Sequence, residues 1–222
     1  MTKHFRKEII TLNKKVMHLT TMVEENLRLA VKAVTDRDTD LAKEVIKRDF
    51  EIDQNEVELE EECLKILALH QPVAIDLRFI IAALKINSDL ERIGDLAVNI
   101  AELTPELANS SLHEVPFDLN GMLDLAVEMV RESVDALVDM SPEKAFLICQ
   151  KDDIMDSMYH KANKSAIDMI RKNSEHAAYF MGLRNIARHL ERIADHATNI
   201  AEDVIYMVNG EIVRHQGENM NK

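Results

Sequence analysis

Eight carboxylates in this sequence form four pairs with a spacing of four residues: Asp49 with Asp53, Glu91 with Asp95, Asp152 with Asp156, and Glu191 with Asp195. On a helix this spacing stacks both side chains on one face with Cβ atoms about 5–6 Å apart, where like charges repel by roughly 0.2–0.5 kcal/mol per pair. A repulsion repeated four times calls for compensating positive charge. Arg188 and Arg192 lie three residues before Glu191 and Asp195, and Arg92 lies three before Asp95. Asp49, Asp53, Asp152 and Asp156 have no Lys or Arg three or four residues away, although Lys47, Arg48 and Lys151 are close on other faces. A cation from solution would supply what is missing. The donors are all oxygens, which suit hard or borderline ions such as magnesium, manganese or iron, with zinc reachable through carboxylates. The competing reading is a solvated acidic helix face, and spacing alone does not choose between the two.

Other chemistry is absent from the sequence pattern. There is no P-loop, no G-x-G-x-x-G and no Ser-His-Asp order, so the chain reads as a non-enzyme. A ferritin-like di-iron centre needs Glu-x-x-His on two helices, and no histidine here has an acidic residue three positions before it. His189 and His196 read first as core-edge residues and second as ligands. Cys63 and Cys149 are far apart and form no C-x-x-C, which suggests reduced, mostly buried thiols. The 12 methionines read as bundle filler, with a partner-binding surface as the lesser reading. A net charge of -13 without a basic stripe argues against a nucleic-acid partner. The start of the chain carries no signal-type apolar core and the longest purely apolar run is Phe79 to Leu84, so cytoplasmic location without membrane insertion is expected.

The elements that must position these carboxylates are helices. With 46% apolar residues, 5 Gly, 4 Pro and no Trp, the composition suits an all-α fold with a real core. Apolar residues at Phe5, Ile9, Leu12, Val16, Leu19, Val23, Leu27, Ala30 and Val34 keep one face of a helix apolar for about eight turns. Asp36 to Thr39 breaks this helix, and Asp38 or Thr39 can cap a second one that runs to about His70 and stops at Gln71-Pro72. A third helix, with Pro72 expected in its first turn, has the seam Phe79, Ala83, Ile86, Leu90, Ile93, Ala97 and Ile100. Thr104 to Phe117 has no apolar period and reads as a connector. Helices then follow over Asp118 to Met140, from the Ser141-Pro142-Glu143 cap to about Asn173, and over Ala177 to Val208, where Gly210 ends the last. Helices of about 30 residues are about 45 Å long, which predicts elongated bundles.

An internal repeat sets the architecture. Residues Leu90 to Glu102 read LERIGDLAVNIAE and Leu190 to Glu202 read LERIADHATNIAE, with 3 differences in 13 positions at an offset of 100. A weaker echo pairs the segment from Arg48 to Asp53 with that from Lys151 to Asp156 at an offset of 103. The order is kept, so two copies of one three-helix unit are expected, over residues 1–107 and 117–215. On the third helix Glu91, Asp95, Asn99 and Glu102 form one outward stripe opposite the seam, repeated by Glu191, Asp195, Asn199 and Glu202. Asp49 and Asp53 lie near the apolar side of the second helix, so a helical wheel does not bring the two pairs of one unit to a common site.

The runs Gln71 to Arg78 (QPVAIDLR), Asp89 to Asp95 (DLERIGD) and His189 to Ile200 (HLERIADHATNI) resemble the PhoU family of phosphate-signalling proteins. The resemblance covers nearly the whole chain, to the ending Gly210 to His215. It implies two tandem, pseudo-symmetric three-helix bundles whose repeated [E/D]-x-x-x-D motifs bind divalent or trivalent metal ions, and those motif positions fall on the eight carboxylates named above. It also implies a negative regulator of the phosphate-starvation response that links the ATPase subunit of a phosphate ABC transporter to a sensor histidine kinase, with a homodimer as the expected assembly. The alternative is a metal-dependent phosphate-handling or metal-buffering protein.

Overall fold

The computed structural model describes residues 3–210; Met1, Thr2 and residues 211–215 of the expected second unit lie outside the described residues. The helices are α1 (Lys3–Asp36), α2 (Thr39–His70), α3 (Ala74–Glu102), α4 (Thr104–Ala108), α5 (Leu119–Val138), α6 (Pro142–Lys172) and α7 (Ala177–Asn209). A single 3-10 turn, Ser174–His176, joins α6 to α7. The fold is all-α, two pseudo-symmetric three-helix bundles in tandem, built from α1–α3 and α5–α7.

Local chemistry sets the boundaries. The Asp38 carboxylate accepts from the backbone N–H of Asp40 and Leu41 at 3.0 and 2.9 Å and so starts α2. Ser141 accepts from the N–H of Lys144 with Pro142 in the first turn of α6. Gly210, at φ 74°, ends α7 with its N–H on the Tyr206 carbonyl at 2.8 Å. The turn before each long second helix is itself duplicated. Asp38 N–H bonds the Ala33 carbonyl as Ser141 N–H bonds that of Ala136, and the preceding Arg37 and Met140 are both left-handed, at φ 57° and 50°.

Two boundaries differ from the sequence expectation. Pro72 is not in the first turn of α3: Gln71 takes a left-handed conformation that caps α2, Val73 is extended, and α3 begins at Ala74. Proline disfavours right-handed helical geometry in the residue before it, so the chain leaves the helix at the left-handed Gln71 and stays out of it through the extended Val73. The connector also contains the short α4, whose Thr104 and Leu107 are buried. Leu107 fills space left by Gly182 on α7, where a Cβ would meet its Cδ2 at 2.9 Å. The connector therefore joins the core.

The predicted seams are the interior. Leu12, Val16, Leu19, Val23, Leu27 and Ala30 of α1 and the whole α3 seam from Phe79 to Ile100 are buried. The core continues from one bundle into the other, because α3 lies on α7 and α1 on α5. Arg78 Nε donates to the Met207 carbonyl at 2.7 Å, Lys85 pairs with Asp203 at 3.2 Å, and Asp89 meets His196 Nδ1 at 2.9 Å. Moving forward along α3 thus moves backward along α7: the two repeated helices are antiparallel. Arg28 of α1 pairs with Asp124 of α5 at 3.0 Å on the same boundary. Among the described residues no helix is long and apolar enough to cross a membrane.

Candidate metal centre

Each bundle gathers its two carboxylate pairs into one acidic cluster. Asp49 on α2 is half-buried and feels the charges of Asp53 on its own helix and of Asp95 and Glu91 on α3. Asp152 on α6 likewise feels Asp195 of α7 and then Asp156 of α6. The helical wheel failed to anticipate this convergence, and the reason is packing. α2 lies against the flank of α3 that carries Gly94, where an added Cβ would stand 3.1 Å from Asp49 Oδ1 and 3.3 Å from Ile52 Cγ2. That flank is next to the acidic stripe, so Glu91 and Asp95 come alongside Asp49 and Asp53. Asp53, Asp95, Asp156 and Asp195 are the exposed members; of the expected outward stripe Asp95, Asn99, Glu102, Asp195 and Asn199 are exposed, while Glu91, Glu191 and Glu202 are half-buried.

The electrostatics are those of charges held together against their preference. Burial first, then Asp53, Asp95 and Glu91, push the Asp49 carboxyl up to about 6 from 3.8. Burial, then Asp195 and Asp156, push that of Asp152 up to about 6 as well. Glu91 is raised by burial and by Asp95, Asp53 and Glu56; Glu191 by burial and by Asp195, Asp156 and Asp152. Asp195 is raised by burial and Asp156, with His196 and Arg192 acting the other way. Lys151, the neighbour of Asp152 in sequence, is engaged elsewhere, donating to Glu128 and Glu132 of α5 at 2.9 and 2.6 Å. Arg48 is engaged by Glu25 of α1 at 3.0 Å.

The donors of both clusters are all carboxylate oxygens, and among the described residues no three of these eight groups bring oxygens within 4.8 Å of one another. Asp49 Oδ1 is buried with no hydrogen-bond partner, although a buried carboxylate oxygen loses more by desolvation than almost any other group. Glu56, next to the first cluster, is tied back to α3 by Asn87 Nδ2, which donates to its carbonyl and its Oε1 at 2.9 and 3.0 Å. The two clusters are not identical: Gly94 and Val98 of the first are Ala194 and Thr198 in the second, and the Thr198 hydroxyl faces Asp152. Between the bundles a groove is lined by Glu91, Asp95 and Asn99 with Arg92, Arg192 and His196, so arginines from both halves stand beside the carboxylates. Asn199 and Glu202 line a neighbouring groove with Lys85, Asp89 and Asp203. His189 remains a core-edge residue, its pKa lowered by burial and by Arg192 and Arg188.

Sequence reasoning passed over one group. His4, Glu8 and His70 bring a ring nitrogen, a carboxylate oxygen and a second ring nitrogen within 4.8 Å of one another. Their only advance signal was the four-residue spacing of His4 and Glu8, because His70 comes from the far end of α2.

The PhoU domain family matches the chain twice, over residues 16–104 and 119–204, one match per bundle. A phosphate-specific transport system accessory protein PhoU homolog of Aquifex aeolicus is 39% identical over 210 residues, 95% of each chain. Its Thermotoga maritima counterpart, homolog 1, is 34% identical over 93% of this chain and 90% of its own. The crystal structure of PhoU from Pseudomonas aeruginosa superposes with a TM-score of 0.86 at 34% identity, covering 93% of this chain and all of that one. The phosphate transport system regulatory protein PhoU from Streptococcus pneumoniae gives 0.87 at 32% identity over 94% and 99%.

Proposed function

The chain belongs to the PhoU family, and from that premise we propose that it is an accessory regulator of phosphate-specific transport, acting in the cytoplasm as a metal-binding adaptor that damps the phosphate-starvation response. The observation that carries this reading is the presence, in each of two family-matched bundles, of a complete acidic cluster with a raised, half-buried aspartate at its centre. Asp49, Asp53, Glu91 and Asp95 would hold an ion in the first cluster, and Asp152, Asp156, Glu191 and Asp195 in the second. A bound cation there supplies the positive charge that both clusters need. The rest is done by the chain: long helices present rigid faces, and the α3–α7 and α1–α5 contacts fix one cluster relative to the other.

In this reading the protein works by contact, not turnover. Its partners are the transporter ATPase subunit and the cytoplasmic part of the sensor kinase, with a homodimer as the working assembly. Exposed apolar side chains along α2, namely Phe50, Val57 and Leu64, give such contacts a surface. The test joins chemistry to phenotype. The variant Glu91→Gln, Asp95→Asn, Glu191→Gln, Asp195→Asn should bind less iron, manganese, magnesium or zinc per chain at unchanged helicity, and should bind both partners more weakly. A deletion strain should express phosphate-starvation genes in high phosphate. A silent reporter in that strain rejects the regulatory role, and unchanged metal content rejects the clusters as its metal centre.

The groove with Arg92 and Arg192 favours a second reading, metal-dependent phosphate handling, because paired guanidinium groups beside metal-binding carboxylates suit an oxyanion. Calorimetry with inorganic phosphate, with and without metal, separates the two: heat that needs both metal and Arg192 belongs to this reading.

A further inference from the structure

His4, Glu8 and His70 lie at the end of the first bundle, apart from the acidic clusters. His4 and Glu8 share one face of the first turns of α1, and His70 is the last residue of α2, held in place where Gln71 turns left-handed. The Glu8 carboxylate is nearly buried and stands between two imidazoles. Its Oε1 is 3.3 Å from His4 Nε2, and its Oε2 is bonded to His70 Nε2. The two rings have centroids 5.7 Å apart, and Phe5 packs edge-on against His70 at 5.1 Å. Two of the three groups are therefore positioned by packing, while the His4 side chain is 72% exposed and borders solvent.

We propose that His4, Glu8 and His70 form a zinc-type metal site that clips the N-terminus of α1 to the C-terminus of α2. Two imidazole nitrogens and one carboxylate oxygen make a three-ligand set that suits Zn²⁺ with a water in the fourth position, and that is too rich in nitrogen for Mg²⁺. Tetrahedral bonds of about 2.0–2.1 Å require ligand atoms about 3.3 Å apart. Ligand atoms already within 4.8 Å of one another reach that when the exposed His4 rotates and His70 Nε2 exchanges its hydrogen bond to Glu8 Oε2 for the metal. The second ring nitrogens remain available to hold the tautomer.

The site is separate from the chemistry proposed above. His4 and Glu8 precede residue 16, where the family match begins, and α5 starts at Leu119 without an equivalent of the first turns of α1. The duplication therefore carries no second copy. The chain would then hold two kinds of metal site, an oxygen-only pair for harder ions and one imidazole site for zinc.

The experiment uses untagged full-length protein in which two of the four carboxylates of each acidic cluster are neutralised by Glu91→Gln, Asp95→Asn, Glu191→Gln and Asp195→Asn. Zn²⁺ is titrated in competition with a fluorescent chelator in excess Mg²⁺, and Co²⁺ is used as a spectroscopic probe. One equivalent of zinc should bind, and Co²⁺ should give the intense visible bands of a tetrahedral nitrogen–oxygen site. Adding His4→Ala, at an exposed position, should weaken zinc binding at least about tenfold and abolish those bands at unchanged helicity. His70→Gln should do the same, which guards against loss of one ligand by local fraying. Zinc binding that survives both substitutions, displacement by Mg²⁺, or no binding at all overturns the assignment.

Discussion

Asp49 and Gly94 meet so closely that a Cβ on Gly94 would lie 3.1 Å from Asp49 Oδ1. This contact decides how far α2 and α3 approach, and thereby how near Asp49 is to Glu91 and Asp95. Gly94→Ala gains helix propensity of about 0.8–1.0 kcal/mol but must displace Asp49 or Ile52 by a few tenths of an ångström. The net stability change should be within about 1 kcal/mol of zero. Metal binding at the first cluster should fall while the second, which already has Ala194, is unaffected. Chemical denaturation and metal stoichiometry measured together check this; equal loss at both clusters would contradict it.

The raised carboxyls make a pH prediction for the metal-free protein. Asp49 and Asp152 sit at about 6 in the fold against 3.8 as the reference. The folded state therefore binds more protons between these values, so their contribution to stability is full below about 4 and is lost as pH rises through 6. Asp49→Asn with Asp152→Asn removes the titration. In excess chelator the double variant should melt higher than the parent at pH 8, and the gap should close toward pH 5. A gap that does not change with pH would mean that these aspartates titrate like exposed ones.

What the sequence disclosed, and what it hid, follows from range. The apolar seams of α1 and α3 and the caps Asp38, Ser141 and Gly210 depend on neighbours within a turn or two, and all were legible. Convergence of the carboxylates was not, because a wheel assigns one buried face per helix while α3 is covered by α1, α2 and α7. The left-handed Arg37 and Met140 carry no glycine signature. His70 joins His4 and Glu8 only because α2 folds back along the full length of α1.

The thiols should be inert in the native protein. Burial, with Glu62 and Glu60 nearby, pushes the Cys63 thiol up to about 12, and burial with Glu202 and Asp152 pushes Cys149 up to about 11. Alkylation at pH 8 should be much slower than for a free cysteine, with the half-buried Cys149 reacting before Cys63, and denaturant should expose both. Rapid labelling of Cys63 in the folded chain would show that the first bundle opens readily.

The last prediction concerns the two halves. Each has three seams of its own, which argues that residues 1–107 and 117–222 form helices separately. Yet α3 and α7 share a buried face, Leu107 sits over Gly182, and Lys85 reaches the nearly buried Asp203. Cutting within 108–116 exposes those surfaces and leaves Asp203 without the lysine. Each fragment should therefore be helical by circular dichroism but less stable than the whole, and the two should associate when mixed. Lys85→Met in the first fragment should weaken that association about tenfold or more, since a charge-assisted hydrogen bond is worth about 1.5–3 kcal/mol. Two unfolded fragments would show that neither unit is autonomous, and two stable fragments that ignore each other would show that the α3–α7 face contributes little to holding the bundles together.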